Sequence, residues 1–330
     1  MSIKCAYIPF AFLLAGCVSS GIKIDETAVQ TSLEKARGST ISASVEFEDR
    51  TRHFKLYLPE RYIPGQQMPI VLYLHGSAGN ADAAIKSSQM NLTADQHSFF
   101  VLYPEAEKPF PDKPDMVTNA RVWNDGSGRA YSGKENIDDT AYLNHLLDAV
   151  QLIIPYDPDR LYAVGFSNGA AMSMRLALEL YPRITAVGAV AGHLFVEPEI
   201  KELEYSIPLI FISGNMDYVA PPQGGRMKTP YGEEAVNPPV LETLNRWARI
   251  NQCETSVKTL KLNWEMTLRE IGPCPGKTSI LYYLLNGVGH VWPGGVSLSP
   301  VEHVGPNTSK FHASSEIWNF LSIYAKKAAS

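Results

Sequence analysis

The sequence predicts an α/β fold with a mostly parallel central sheet and helices on both faces. Six short apolar runs, each bounded by turn residues, recur along the chain. Longer segments with apolar residues three and four apart lie between them, and two alternating runs precede the first. A run apolar on both faces must be covered on both, as interior strands of a parallel sheet are by packed helices.

The elements follow in order. Residues 44–48 and 53–58 alternate apolar with polar and predict an antiparallel hairpin at a sheet edge. Residues 69–74, 99–103, 161–164, 186–190, 208–212 and 280–285 are the interior strands. Helices are predicted over 139–154, 170–181, 241–250 and 315–326; the first carries Tyr142, Leu143, Leu146, Leu147 and Val150 on one face. Residues 105–136 and 220–238 are rich in Pro and Gly and read as long loops above the carboxyl ends of the strands, where ligands bind in such sheets.

The chain has 330 residues, 45% of them hydrophobic, which suits one large domain over 41–330 without internal repeats. The formal net charge is −5 and no stretch is strongly basic, which argues against a nucleic-acid partner. The first residues read separately. An apolar run over 5–15 is too short to span a bilayer but suits the core of a secretory signal. Leu14-Ala15-Gly16-Cys17 then resembles a bacterial lipobox, in which the cysteine is acylated and becomes the mature N-terminus. Residues 1–17 are thus a lipoprotein leader and the polar segment 18–40 a tether, giving an exported protein on a membrane lipid anchor. Val18, standing where inner-membrane retention calls for Asp, favours the outer membrane. An ordinary signal peptide cut nearby is the alternative. With Cys5 and Cys17 in the leader, Cys253 and Cys274 remain as an even pair in an oxidising compartment, which reads as a disulfide. No cluster of further ligands suggests a metal.

Gly165-Phe166-Ser167-Asn168-Gly169 directly follows one apolar strand and precedes a helix. A serine on such a tight strand-to-helix turn projects its hydroxyl from the sheet, and the helix N-terminus behind it favours negative charge. A serine hydroxyl is a weak nucleophile and needs a base and a group to orient that base. Asp217 and His290 each lie just past an apolar strand, in the order nucleophile, acid, base. Glu233 or Glu234 is the alternative acid. The backbone amides of Asn168 and of Ser77, in the loop His75-Gly76-Ser77-Ala78-Gly79-Asn80, are the expected oxyanion donors. His75 itself reads as structural.

Together these motifs resemble the poly(3-hydroxybutyrate) depolymerase and feruloyl esterase family, the LpqC-like secreted esterases of the α/β-hydrolase fold. The resemblance rests on the His75-Gly76 loop, Trp123-Asn124, the Ser167 motif, Ser213 to Asp217, and Gly289-His290-Val291-Trp292-Pro293-Gly294-Gly295. It implies a serine carboxylesterase without metal or organic cofactor, with the triad on Ser167, Asp217 and His290 and with Trp123 and Trp292 lining the acyl or aryl pocket. Family members usually place a cysteine before the Trp-Asn pair, where this chain has Val122.

The expected function is hydrolysis of small or oligomeric esters through an acyl-enzyme: feruloyl or acetyl esters of polysaccharide, or hydroxyalkanoate oligomers. A serine peptidase on the same fold and a non-catalytic binding lipoprotein are the alternatives.

Overall fold

The computed structural model describes residues 3–4, 33, 35–115, 118–196, 203, 206–228, 234–254 and 256–326. The lipobox with Cys17, and nearly all of the expected leader and tether, lie outside the described residues. An opening pair, β2 (Ser39–Phe47) and β3 (Arg50–Leu58), forms the expected antiparallel hairpin. Its turn residues Glu48 and Asp49 both have positive φ, the geometry of a two-residue turn matching the strands' twist. A two-residue strand, β1 (Ile3–Lys4), pairs with β2. Then follow β4 (Met68–Leu74), α1 (Ala81–Ser88), α2 (Met90–His97), β5 (Phe100–Pro104), α3 (Ala130–Lys134), α4 (Asp139–Gln151), β6 (Tyr156–Phe166), α5 (Asn168–Glu179), β7 (Ala186–Val190) and β8 (Leu209–Gly214). The chain continues with β9 (Gly225–Lys228), β10 (Glu234–Asn237), α6 (Val240–Ile250), β11 (Val257–Lys261), β12 (Met266–Cys274), β13 (Thr278–Leu285), α7 (Val301–Val304) and α8 (Ala313–Leu321).

The large sheet has the order β1-β2-β3-β5-β4-β6-β7-β8-β13-β12-β11. Its middle, from β5 to β13, is parallel and its two ends are antiparallel. Every residue of β4, β5, β7 and β8 is buried, as continuous apolar runs require. Alternate residues feed two cores. Ile70, Leu72 and Leu74 of β4 pack with α4, α5 and α6, whereas Val71 and Tyr73 pack with α1, α2 and α8.

The structure adds elements that the sequence did not announce. Helices α1 and α2 and the strands β11 and β12 were not expected, and the two long loops carry α3 and the hairpin β9–β10. The closing helix ends at Leu321, short of the expected 326.

Cys253 and Cys274 are disulfide-bonded. The bridge ties the chain just after α6 to the end of β12, which pairs with β13, the strand leading to His290. Closing a segment of 21 residues limits the unfolded chain by about 3 kcal/mol in the chain-entropy model. Cys253→Ser is therefore expected to lower the melting temperature by about 5–10 °C. A melting curve unchanged by the substitution would show that the bridge contributes no stability.

Candidate active site

Four loops meet where parallel strands end, and each carries one chemical part. The loop after β4 holds His75 to Gly79, the turn after β6 holds Ser167, the turn after β8 holds Asp217, and the loop after β13 holds His290. This is the crevice in which open parallel sheets bind ligands.

Ser167 has φ 55° and ψ −121°. Such a backbone costs a non-glycine residue about 1–3 kcal/mol and persists only where its surroundings impose it. Here the Ser167 N–H donates to Val190 O at 2.8 Å, and Ser167 O accepts the first amides of α5, from Ala170 and Ala171. The flanking glycines let strand and helix approach. A Cβ on Gly165 would stand 2.1 Å from Gly169 O, and one on Gly169 would stand 2.1 Å from Leu74 O. The turn thus lifts the Ser167 hydroxyl out of the sheet.

His290 bridges the other two groups. Its Nε2 lies 2.9 Å from Ser167 Oγ and its Nδ1 lies 2.8 Å from Asp217 Oδ2. With Asp217 ionised, Nδ1–H donates to the carboxylate, so Nε2 is left to accept the Ser167 proton. The Asp217 side chain is fully buried, and its Oδ1 accepts the amides of Val219 at 2.9 Å and Ala220 at 2.6 Å. Burial alone would raise this carboxyl; His290 and the two amides outweigh it and hold the group below the ordinary carboxylate range. The two loops are also stitched together. Asn215 N–H donates to Leu285 O, Met216 N–H to Val288 O, and Gly287 N–H to Asn215 Oδ1 at 2.7 Å.

The loop after β4 lies against the nucleophile. A Cβ on Gly76 would stand 3.3 Å from both Phe166 O and Ser167 Cβ. His75 shapes this loop. Its Nδ1–H donates to Gly76 O at 2.8 Å, and its Nε2 accepts Ala106 N–H at 3.1 Å. Burial pushes its pKa down to about 4, so the ring is neutral at neutral pH, as that tautomer requires. Ser77 and Asn168, the expected oxyanion donors, line the same cavity of about 840 Å³ as Ser167. Asn168 stands at the first turn of α5, where backbone N–H groups have no acceptor within the helix.

Trp123 is placed differently from the expectation. It is fully buried and does not line the cavity: its Nε1–H donates to His75 O at 3.0 Å, under the loop. Its neighbour Val122 lines the cavity instead. Trp292 does line it, held by Nε1–H donation to Ser314 Oγ at 3.0 Å and packed 5.1 Å from Tyr73. Of the alternative acids, Glu234 is exposed on β10 and Glu233 lies outside the described residues.

Sequence reasoning missed the support of the Trp123 segment. The Asn168 side chain accepts Trp123 N–H at 2.7 Å and donates to Trp123 O and to Asp125 Oδ2. Asn124 N–H donates to buried Asp139, which pairs with buried Arg52 at 2.8 Å. Asp125 was within reach, since it directly follows the Trp-Asn pair; Arg52 and Asp139 lie far apart in sequence and carry no motif. Among the described residues, no three His, Cys, Asp or Glu side chains gather to hold a metal ion.

The chain is similar to known proteins in sequence and in fold. Residues 52–202 match the family model described as Esterase PHB depolymerase. The chain is an esterase that is similar to that family over those residues. It is 26% identical over 283 residues to a putative esterase, NocK, of Nocardia uniformis subsp. tsuyamanensis, covering 79% of this chain and 76% of that one. It is 26% identical over 155 residues to feruloyl esterase B of Thermothelomyces thermophilus, covering 46% of this chain and 48% of that enzyme. In fold, it is similar to an acetyl xylan esterase from Aspergillus awamori, with a TM-score of 0.54 and 15% identity over 76% of this esterase and 94% of the other.

Proposed function

We propose that this esterase hydrolyses carboxylic esters through an acyl-enzyme on Ser167. The observation that carries the reading is His290, within hydrogen-bond reach of both Ser167 Oγ and buried Asp217. His290 Nε2 takes the hydroxyl proton as Ser167 Oγ bonds to the ester carbonyl carbon. The oxyanion is held by the amides of Ser77 and Asn168. His290 then gives its proton to the departing alcohol. In the second half it takes a proton from water, which attacks the acyl carbon and releases Ser167. Asp217 keeps the imidazole in the required tautomer and balances its charge.

The proposed substrates are feruloyl or acetyl esters of polysaccharide, or hydroxyalkanoate oligomers. Feruloyl and acetylxylan esterases among the relatives support the first pair, and the family description supports the last. A panel of p-nitrophenyl acetate, p-nitrophenyl butyrate, methyl ferulate and the matched p-nitroanilides tests the reaction class. Turnover of esters without the anilides is expected; anilide turnover at a comparable rate would favour a peptidase.

The proposal includes export and anchoring through Cys17, supported by the apolar run and lipobox. Cys17→Ala is expected to move the protein from the membrane fraction to the soluble one or to block its processing. Sedimentation with membranes at unchanged mass would contradict that.

A further inference from the structure

The cavity beside Ser167 has a mixed lining. Tyr73, Ala84, Trp292 and Val304 give it apolar surface. Ser127, Arg129, His193 and Asn237 add polar groups, with Phe195 beside Arg129. Among the described residues, Arg129 is the one Lys or Arg that lines the cavity and Asp125 the one carboxylate. They are not an ion pair. Asp125 Oδ1 accepts Ser127 N–H and Ser127 Oγ–H, and Asp125 Oδ2 accepts from Asn168 Nδ2.

Arg129 is held in place without being neutralised. Its Cζ stands 4.4 Å from the Phe195 ring centroid, and one terminal nitrogen donates to Asn237 Oδ1 at 3.2 Å. Its remaining guanidinium donors have no hydrogen-bond or carboxylate partner among the described residues. Next to it, His193 is 2% exposed and neither ring nitrogen has a partner. Burial pushes this ring down to about 4; Asp217 opposes that shift, while Arg129 and His290 add to it. His193 thus brings no second charge, only an unused donor and acceptor. A buried ring with both nitrogens unpaired is costly, and its place beside an unneutralised, half-buried cation points to a polar, anionic group of a ligand.

We propose that Arg129 receives a carboxylate carried by the ester substrate, so that the cavity selects esters with a free acid group over neutral ones. The proposal rests on the reading of Ser167 as the nucleophile. The planar guanidinium fork matches a carboxylate in two-point hydrogen bonding. A single cation against an aromatic ring suits a monoanion better than a more highly charged phosphate. The favoured substrates are therefore monoesters of dicarboxylic acids, or esters of alcohols that carry an acid.

Two matched pairs separate the acyl side from the alcohol side. The first is 4-nitrophenyl hydrogen glutarate against 4-nitrophenyl methyl glutarate. The second is 4-carboxyphenyl butyrate against 4-carbamoylphenyl butyrate. In at least one pair, kcat/KM of the wild type should favour the acid at least tenfold. Arg129→Gln should bring that ratio down tenfold or more, mainly through KM, and Arg129→Lys should keep an intermediate ratio. Raising sodium chloride should lower the wild-type ratio as well, a reading that needs no variant to fold. An equal rate on acid and neutral members in both pairs, or a preference that survives Arg129→Gln, overturns the proposal and leaves the triad reading intact. A wild-type protein that turns over no ester overturns both.

Discussion

Ser167→Ala is expected to lower ester hydrolysis by roughly 10⁴–10⁶-fold with the fold unchanged. The hydroxyl's recorded partner is His290 Nε2, and the backbone bonds that impose the turn come from Ser167 N–H and O, which alanine retains. Alanine also keeps the Cβ, so the positive φ costs no more than before. The melting temperature should stay within about 2 °C. What remains of activity would come from the oxyanion amides and substrate binding acting on water. Retention of more than about a tenth of wild-type activity by a purified, folded variant would remove Ser167 from the mechanism.

Asp217→Asn carries the second largest effect, a drop of about 10³–10⁴-fold in kcat. The carboxylate accepts from His290 Nδ1–H at one oxygen and from the Val219 and Ala220 amides at the other. Asparagine keeps one acceptor oxygen, which the two amides hold, and turns an NH₂ donor toward His290. Nδ1 must then accept, the proton moves to Nε2, and the base no longer faces Ser167 with a lone pair. Stability should fall little beside activity, because the hydrogen-bond count is kept. Near wild-type kcat in Asp217→Asn would show that His290 is oriented by something else.

The parallel core was legible because its strands are continuous apolar runs, and β4, β5, β7 and β8 are buried along their whole length. Strand β11 was not, since all five of its residues are exposed and no apolar alternation marks it. Strand β12 mixes Arg269 and Glu270 with half-buried neighbours, which blurs the period of two. Helix α1 is short and rich in Ala and Ser, but it did carry a signal: Asn80 caps it by accepting Ala83 N–H at 2.9 Å, and an Asn before an Ala-rich stretch is a start mark.

At the site, Ser167, Asp217 and His290 stand out in the sequence because each follows a strand in a fixed order, and in the structure His290 lies 2.9 Å from Ser167 Oγ and 2.8 Å from Asp217 Oδ2. Trp123 shows the limit of motif reading. The Trp-Asn pair does sit at the site, but a motif says nothing about which way a ring turns, and this indole is drawn under the loop by His75 O. Arg129 was not legible at all. Its significance lies in the absence of a carboxylate partner among the described residues, which only the folded contacts reveal.

A covalent acyl group on Ser167 is the decisive intermediate, and rapid quenching with acid after mixing with p-nitrophenyl butyrate traps it. Mass spectrometry of the quenched protein should show the added mass of one butyryl group within the first turnover, and digestion should place it on the peptide that contains Ser167. Turnover without any adduct at early times, or an adduct on a peptide lacking Ser167, would rule out an acyl-enzyme on Ser167.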